Sequence, residues 1–169
     1  MQDADAGGDL LQAARLCLAA SAPEDKVALT QRYAAAFAAG ELRVPADPGD
    51  PEPIRMPGRP SRPVLVHPRE LPRRGLGSAE GRAAFIHAIA HIELNAIDLA
   101  WDAVYRFRGL PEAFHADWVA VAADESRHFV LLRDRLRALG HDYGDFAAHN
   151  GLWEMCEKTA HDGLARMAL

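Results

Sequence analysis

Residues 78–140 read SAEGRAAFIHAIAHIELNAIDLAWDAVYRFRGLPEAFHADWVAVAADESRHFVLLRDRLRALG, and this stretch decides the fold. It divides into two long segments around Arg108-Gly109-Leu110-Pro111. Ser78 is an N-cap type, and Glu80 suits a first helical turn. Pro111 fits the first position of a second helix, whose last turns carry Arg133, Arg135 and Arg137 before Gly140. Ile86, Ala90, Ile97, Ala100 and Val104 recur at helical spacing in the first segment. Trp118, Val121, Ala122, Phe129, Leu132 and Leu136 do so in the second. Glu93 interrupts the first stripe, and Glu125 and His128 interrupt the second. A carboxylate facing a core is costly unless it is paired or bound to a cation.

Glu93 lies sixteen residues before Gly109, and Glu125 sixteen after it. At a rise of ~1.5 Å per residue, each stands ~24 Å from the turn. In an antiparallel pair the two carboxylates meet at one level, and His128 joins them from one turn beyond Glu125. Two carboxylates and an imidazole converging between helices suit a transition-metal ion.

This pattern resembles the ferritin-like di-metal carboxylate superfamily, in which one bundle helix gives a Glu and the next a Glu-x-x-His. The matching residues are Glu93 and Glu125-Ser126-Arg127-His128. The flanking text is His91-Ile92-Glu93-Leu94-Asn95-Ala96-Ile97-Asp98-Leu99-Ala100 and Asp124-Glu125-Ser126-Arg127-His128-Phe129. Tyr143-Gly144-Asp145-Phe146 and Gly151-Leu152-Trp153-Glu154 follow. Together these are similar to a bacterial ferritin-like family known as a domain of unknown function, itself distantly similar to a di-iron tRNA hydroxylase. The resemblance covers nearly the whole chain. It implies an all-α, ferritin-like helical bundle with metal ligands Glu93, Glu125 and His128. It also implies iron or manganese in a dinuclear centre, and oxidoreductase or oxygenase chemistry at open coordination positions.

A complete bundle of that kind has a second half. Glu125–His128 reads as the one Glu-x-x-His of the chain, with Glu154, Glu157 and the other glutamates read as lacking a histidine three residues on. The family continues past Leu169, so the chain reads as an incomplete bundle, an N-terminal portion carrying half a site. A missing C-terminal half, or a second copy in a homo-oligomer, would complete it. Without either, the chain holds one ion weakly or none. The other function class is a non-catalytic helical module that uses the hairpin for packing or dimerisation. If the bundle is open, Ile97, Val121 and Phe129 are expected to be partly exposed.

At 169 residues the chain suits one domain with an appendage, and 49% apolar residues suffice for a core. A net charge of −5 argues against a generally basic nucleic-acid binder. Cys17 and Cys156 each stand in an apolar helical pattern and read as buried thiols, compatible with a reducing cytoplasm. The acidic N-terminal residues Asp3, Asp5 and Asp9 oppose a secretory signal. No uncharged run approaches the ~18 residues of a membrane span.

Three segments follow: an N-terminal helical pair over 1–40, an extended Pro/Arg-rich segment over 41–77, and the ferritin-like portion over 78–169. Residues 1–8 read as frayed. Helices are predicted near 9–20, capped by Asp9, and near 23–39, capped by Ser21 and begun by Pro23. Others are predicted near 79–107, 111–139 and 151–168. Nine of the eleven prolines fall between Pro45 and Pro72, which excludes long helices there and predicts a strap. Val64-Leu65-Val66 is its one apolar knot, expected to anchor it to the helices. Arg55, Arg59, Arg62, Arg69, Arg73, Arg74 and Arg82 make the region basic. With no aromatic residues between them to stack bases, pairing with acidic helices is favoured over nucleic-acid contact. The last helix shows a stripe of Trp153, Cys156, Ala160, Leu164 and Met167, with Glu154, Glu157 and His161 on a solvated side. His87 and His91 lie off the Glu93 stripe and read as polar-face or supporting groups. His115, His141 and His149, near turns, carry no signal.

Overall fold

The computed structural model describes residues 8–168. The chain is all-α apart from two short strands. Its helices are α1 (Leu10–Ala19), α2 (Pro23–Ala38), α3 (Ala79–Arg106), α4 (Glu112–Ala138), α5 (Gly151–Lys158) and α6 (Gly163–Met167).

Local chemistry sets most boundaries. The Asp9 carboxylate accepts from the Leu11 and Gln12 amides, and Ser78 Oγ accepts from Gly81. Gly40 and Gly140 follow α2 and α4 at φ +74° and +82°, where other side chains are strained. Two caps differ from expectation. Ala22, not Ser21, is the cap of α2 and makes no side-chain bond. Pro111 is the N-cap of α4 rather than its first residue. Both helices start at the fixed φ of a proline, which needs no side-chain oxygen.

α3 and α4 form the antiparallel hairpin, with α1 packed on α3 and α2 on α4. One core runs through all four, from Leu10, Cys17 and Leu18 to Ile97, Trp101, Val104, Phe129 and Leu136. Ile97 and Phe129 are fully buried, against expectation, because the α1–α2 layer and Tyr143 cover that side. Only Val121 of the three is exposed, together with Phe85, Ile92 and Leu131.

α3 also buries polar groups. Asp98 pairs with Lys26, whose Nζ donates to the carbonyls of Cys17 (3.0 Å) and Leu18 (3.4 Å) at the end of α1. Asp102 accepts from Arg106 (2.6 Å) and Arg166 (3.0 Å). α3 is long and apolar enough to cross a membrane by length and composition. Its buried charges, each paired within the fold, mark it as the central helix of this core.

The single last helix expected over 151–168 is broken. Thr159–Asp162 intervene, Asp162 caps α6, and the turn swings Arg166 inward to Asp102. Leu164 and Met167, counted in an apolar stripe, are therefore exposed, while Trp153 and Cys156 are buried.

The Pro-rich segment wraps the surface and is held by backbone groups. It begins as β2 (Leu42–Arg43), parallel to β1 (Gly8–Asp9). Arg108 Nη1 donates to the Pro48 carbonyl (2.6 Å), and Trp153 Nε1 to that of Arg55 (2.9 Å). The Gly58 amide donates to Leu18 O (2.7 Å). The knot at 64–66 is anchored, but to the 141–150 loop: Val66 N donates to Ala148 O (2.8 Å) and Ala148 N to Val64 O (3.0 Å). Val64 points to solvent and Leu65 is only partly covered, so hydrogen bonds more than apolar burial fix it.

Candidate metal centre

The hairpin brings Glu93 of α3 to Glu125 and His128 of α4. One ligand atom from each lies within 4.8 Å of the others. His128 Nδ1 stands 3.0 Å from Glu125 Oε2 and 3.5 Å from Glu93 Oε2. The spacing argument predicts this meeting, and the structure supplies it. The depth differs from the sequence picture. The side chains of Glu93 and Glu125 are 19% and 23% exposed, and that of His128 is 52% exposed. The triad sits at the rim of the buried face, beside exposed Ile92, Val121 and Leu131.

The electrostatics are unusual for surface carboxylates. Among the described residues, no lysine or arginine pairs with Glu93 or Glu125. Desolvation, a hydrogen bond with Glu125 and the Glu125 charge raise the Glu93 carboxyl to about 7. The hydrogen bond to Glu125, with the two carboxylate charges, raises the His128 imidazole above its ordinary value. The site thus favours taking up protons, in competition with any cation. A carboxylate pair plus imidazole, with no permanent cation between them, is a donor set that fits a divalent transition ion. The open side leaves coordination positions for water or small molecules.

His87 and His91 lie off the Glu93 side as the sequence suggests, but they are buried rather than on a polar face. From that other side of α3 they tie down the 141–150 loop. His87 Nε2 accepts from the Gly144 amide (2.9 Å), and its ring stacks on Tyr143. His91 Nε2 faces the His149 carbonyl (3.0 Å) and so carries the proton, leaving Nδ1 to accept from the Tyr143 hydroxyl (2.8 Å). Burial lowers both imidazoles to about 4. Glu-x-x-His spacing also occurs at Glu112 and His115, in the first turn of α4, which reading Glu125–His128 as the one such motif overlooks. It lies ~20 Å along the helix from Glu125. His115 is buried at that distance, so it is no part of the triad.

Of the basic residues, Arg74 approaches Glu80 (3.4 Å), Arg59 donates to the Asn95 amide oxygen (2.8 Å), and Arg82 holds the Leu76 and Gly77 carbonyls. Among the described residues, pairing of these strap-region arginines with acidic helix residues is therefore confined to Arg74. The thiols of Cys17 and Cys156 are free and buried, as expected.

A family profile described as "Protein of unknown function (DUF455)" matches residues 19–169. The chain belongs to that family. It is 52% identical over 117 residues to an uncharacterized protein of Haemophilus influenzae, an alignment spanning 65% of this chain and 41% of the relative. The chain thus spans less than half the length of this relative. No solved structure matches.

Proposed function

We propose that this chain is the metal-holding part of a ferritin-like oxidoreductase, with Glu93, Glu125 and His128 as protein ligands. The observation that carries the reading is the pair of carboxylates held against each other and an imidazole with no lysine or arginine between them. Such an arrangement is costly without a cation and becomes favourable with one. Iron or manganese, when bound, would supply Lewis-acid and one-electron chemistry. The chain's own residues do the rest. Glu93 and Glu125 give up the proton between them as the ion enters, and His128 offers Nδ1 as a neutral base. The half-exposed His128 keeps the approach from solvent open. The apolar residues beside it limit how many waters compete for the site. The ferritin-like assignment rests on the Glu and Glu-x-x-His pattern of the hairpin, and the substrate lies outside what this face specifies.

A specific feature favours a second reading, a packing module without metal. A protonated His128 satisfies Glu125 and Glu93 in the geometry seen. Elemental analysis separates the two. Wild type and the Glu93→Ala, Glu125→Ala and His128→Ala variants are purified from iron- and manganese-supplemented medium. The metal reading expects bound iron or manganese in wild type and loss in each variant. Less than about a tenth of an ion per wild-type chain supports the packing module.

A further inference from the structure

A second cavity lies on another side of α3 from the triad. His91 and Asp98 stand roughly 160° and 140° around the helix from Glu93. Over them the Pro-rich strap closes a space of about 110 Å³, lined by Lys26, Arg59, Pro63, His91, Asp98 and Tyr143 among others. Such a space holds a handful of heavy atoms and is too small for a nucleotide.

Its charges do not cancel. Lys26 is spent: its ammonium is held by Asp98 and by two carbonyls at the end of α1. Arg59 is not. Its Nη2 donates to the neutral Asn95 amide (2.8 Å) and its Nε to the Met56 sulfur (3.4 Å). No carboxylate among the described residues forms an ion pair with it, and its Nη1 group donates to none of them. An arginine without an acidic partner, half-buried in a chain of net charge −5, leaves a local excess of positive charge at the cavity. Its field reaches Asp98, His91 and Tyr143. Leu65 and Leu94 add apolar wall.

We propose that this cavity binds a small monocarboxylate, of acetate or propionate size. The carboxylate sits on the unspent face of the Arg59 guanidinium, and the alkyl end lies against Pro63, Leu65 and Leu94. Guanidinium geometry suits a planar carboxylate. The nearby Asp98 carboxylate disfavours a dianion such as phosphate, and the cations Lys26 and Arg59 disfavour a metal or an amine. Because the strap forms the outer wall, occupancy ties Arg59 to α3 and holds the strap closed.

The test uses the full chain in EDTA at neutral pH, which keeps the result independent of the triad. Thermal unfolding is followed while sodium acetate or propionate replaces sodium chloride at constant ionic strength, with benzoate and phosphate as controls. The expected result is a saturable rise in Tm with acetate and propionate, and none with benzoate or phosphate. Arg59→Gln should weaken the apparent affinity at least tenfold, while Arg73→Gln, on the exposed strap, leaves it unchanged. Saturation transfer from the wild-type protein to the acetate methyl protons provides a readout that needs no variant, should Arg59→Gln fail to fold. Identical Tm values in acetate and chloride with no saturation transfer would overturn the proposal and leave a water-filled space. A saturable shift that survives Arg59→Gln unchanged would also overturn it.

Discussion

Glu93 and His128 meet across the α3–α4 hairpin, carboxylate Oε2 to ring Nδ1, at 3.5 Å. They come from helices joined by a turn sixteen residues from Glu93, and Glu125 closes the triangle from the same distance on the other arm. The geometry makes protons and metal ions competitors for one space, and this has a measurable consequence.

In the metal-free chain Glu93 is raised to about 7, and His128 is raised as well. Both groups bind protons more tightly in the folded state than in the unfolded one. The Glu93 contribution is full below the ordinary carboxylate value of ~4.5 and is lost as pH rises through about 7, and the His128 contribution is likewise lost as pH rises. The Tm difference between Glu93→Gln and wild type, both in EDTA, should therefore favour the variant near pH 8 and shrink toward pH 5. Metal affinity should rise across the same interval, because the ion displaces protons. A difference independent of pH would refute the shared-proton description of the site.

Lys26 and Asp98 form a buried ion pair that also caps α1. Removing the cation alone strands Asp98, whose carboxyl burial already raises to about 6. Lys26→Met should cost about 3–5 kcal/mol in urea unfolding. The double variant Lys26→Met, Asp98→Leu should recover most of that. A residue of about 1–3 kcal/mol should remain, because the Cys17 and Leu18 carbonyls lose their donor. Equal losses in the single and double variants would show that the pair is not energetically coupled.

Gly58 lets the strap touch the end of α1. A Cβ there would stand 2.2 Å from the Ala19 carbonyl oxygen, a backbone atom that cannot yield cheaply. Gly58→Ala should destabilise the chain by about 2 kcal/mol or more. It should also speed tryptic cleavage after Arg55, the strap arginine nearest Gly58 that is not followed by proline, while the helices stay protected. Unchanged cleavage would mean that the strap is held elsewhere.

Arg166 reaches Asp102 only because the last helix breaks. It spans Thr159 Oγ1 (2.7 Å), Cys156 O (2.7 Å) and Asp102 Oδ2 (3.0 Å). Arg166→Met should cost about 2–3 kcal/mol, less than a fully stranded carboxylate, since Arg106 still neutralises Asp102. It should also raise the reactivity of Cys156, whose thiol donates to Asp102 (3.1 Å) under that cover. A Cys156 as slow toward thiol reagents as in wild type would show that α6 stays docked without its arginine.

The sequence alone determined the α3–α4 hairpin, most of its end signals and the meeting of Glu93, Glu125 and His128. Those are consequences of helical periodicity, capping chemistry and a fixed rise per residue, all local quantities that equal spacing about Gly109 converts into a contact. Tertiary structure decided what lies around each helix. Periodicity places a residue on a face but not the partner that face meets. Asp98 and Asp102 could not be told from solvated acids until Lys26 and Arg166, 72 and 64 residues away, were placed against them. His87 and His91 looked like polar-face residues until the 141–150 loop folded over them. The break before α6 and the path of the strap likewise follow from long-range hydrogen bonds, whose donors and acceptors are backbone groups common to every sequence and so leave no mark in this one.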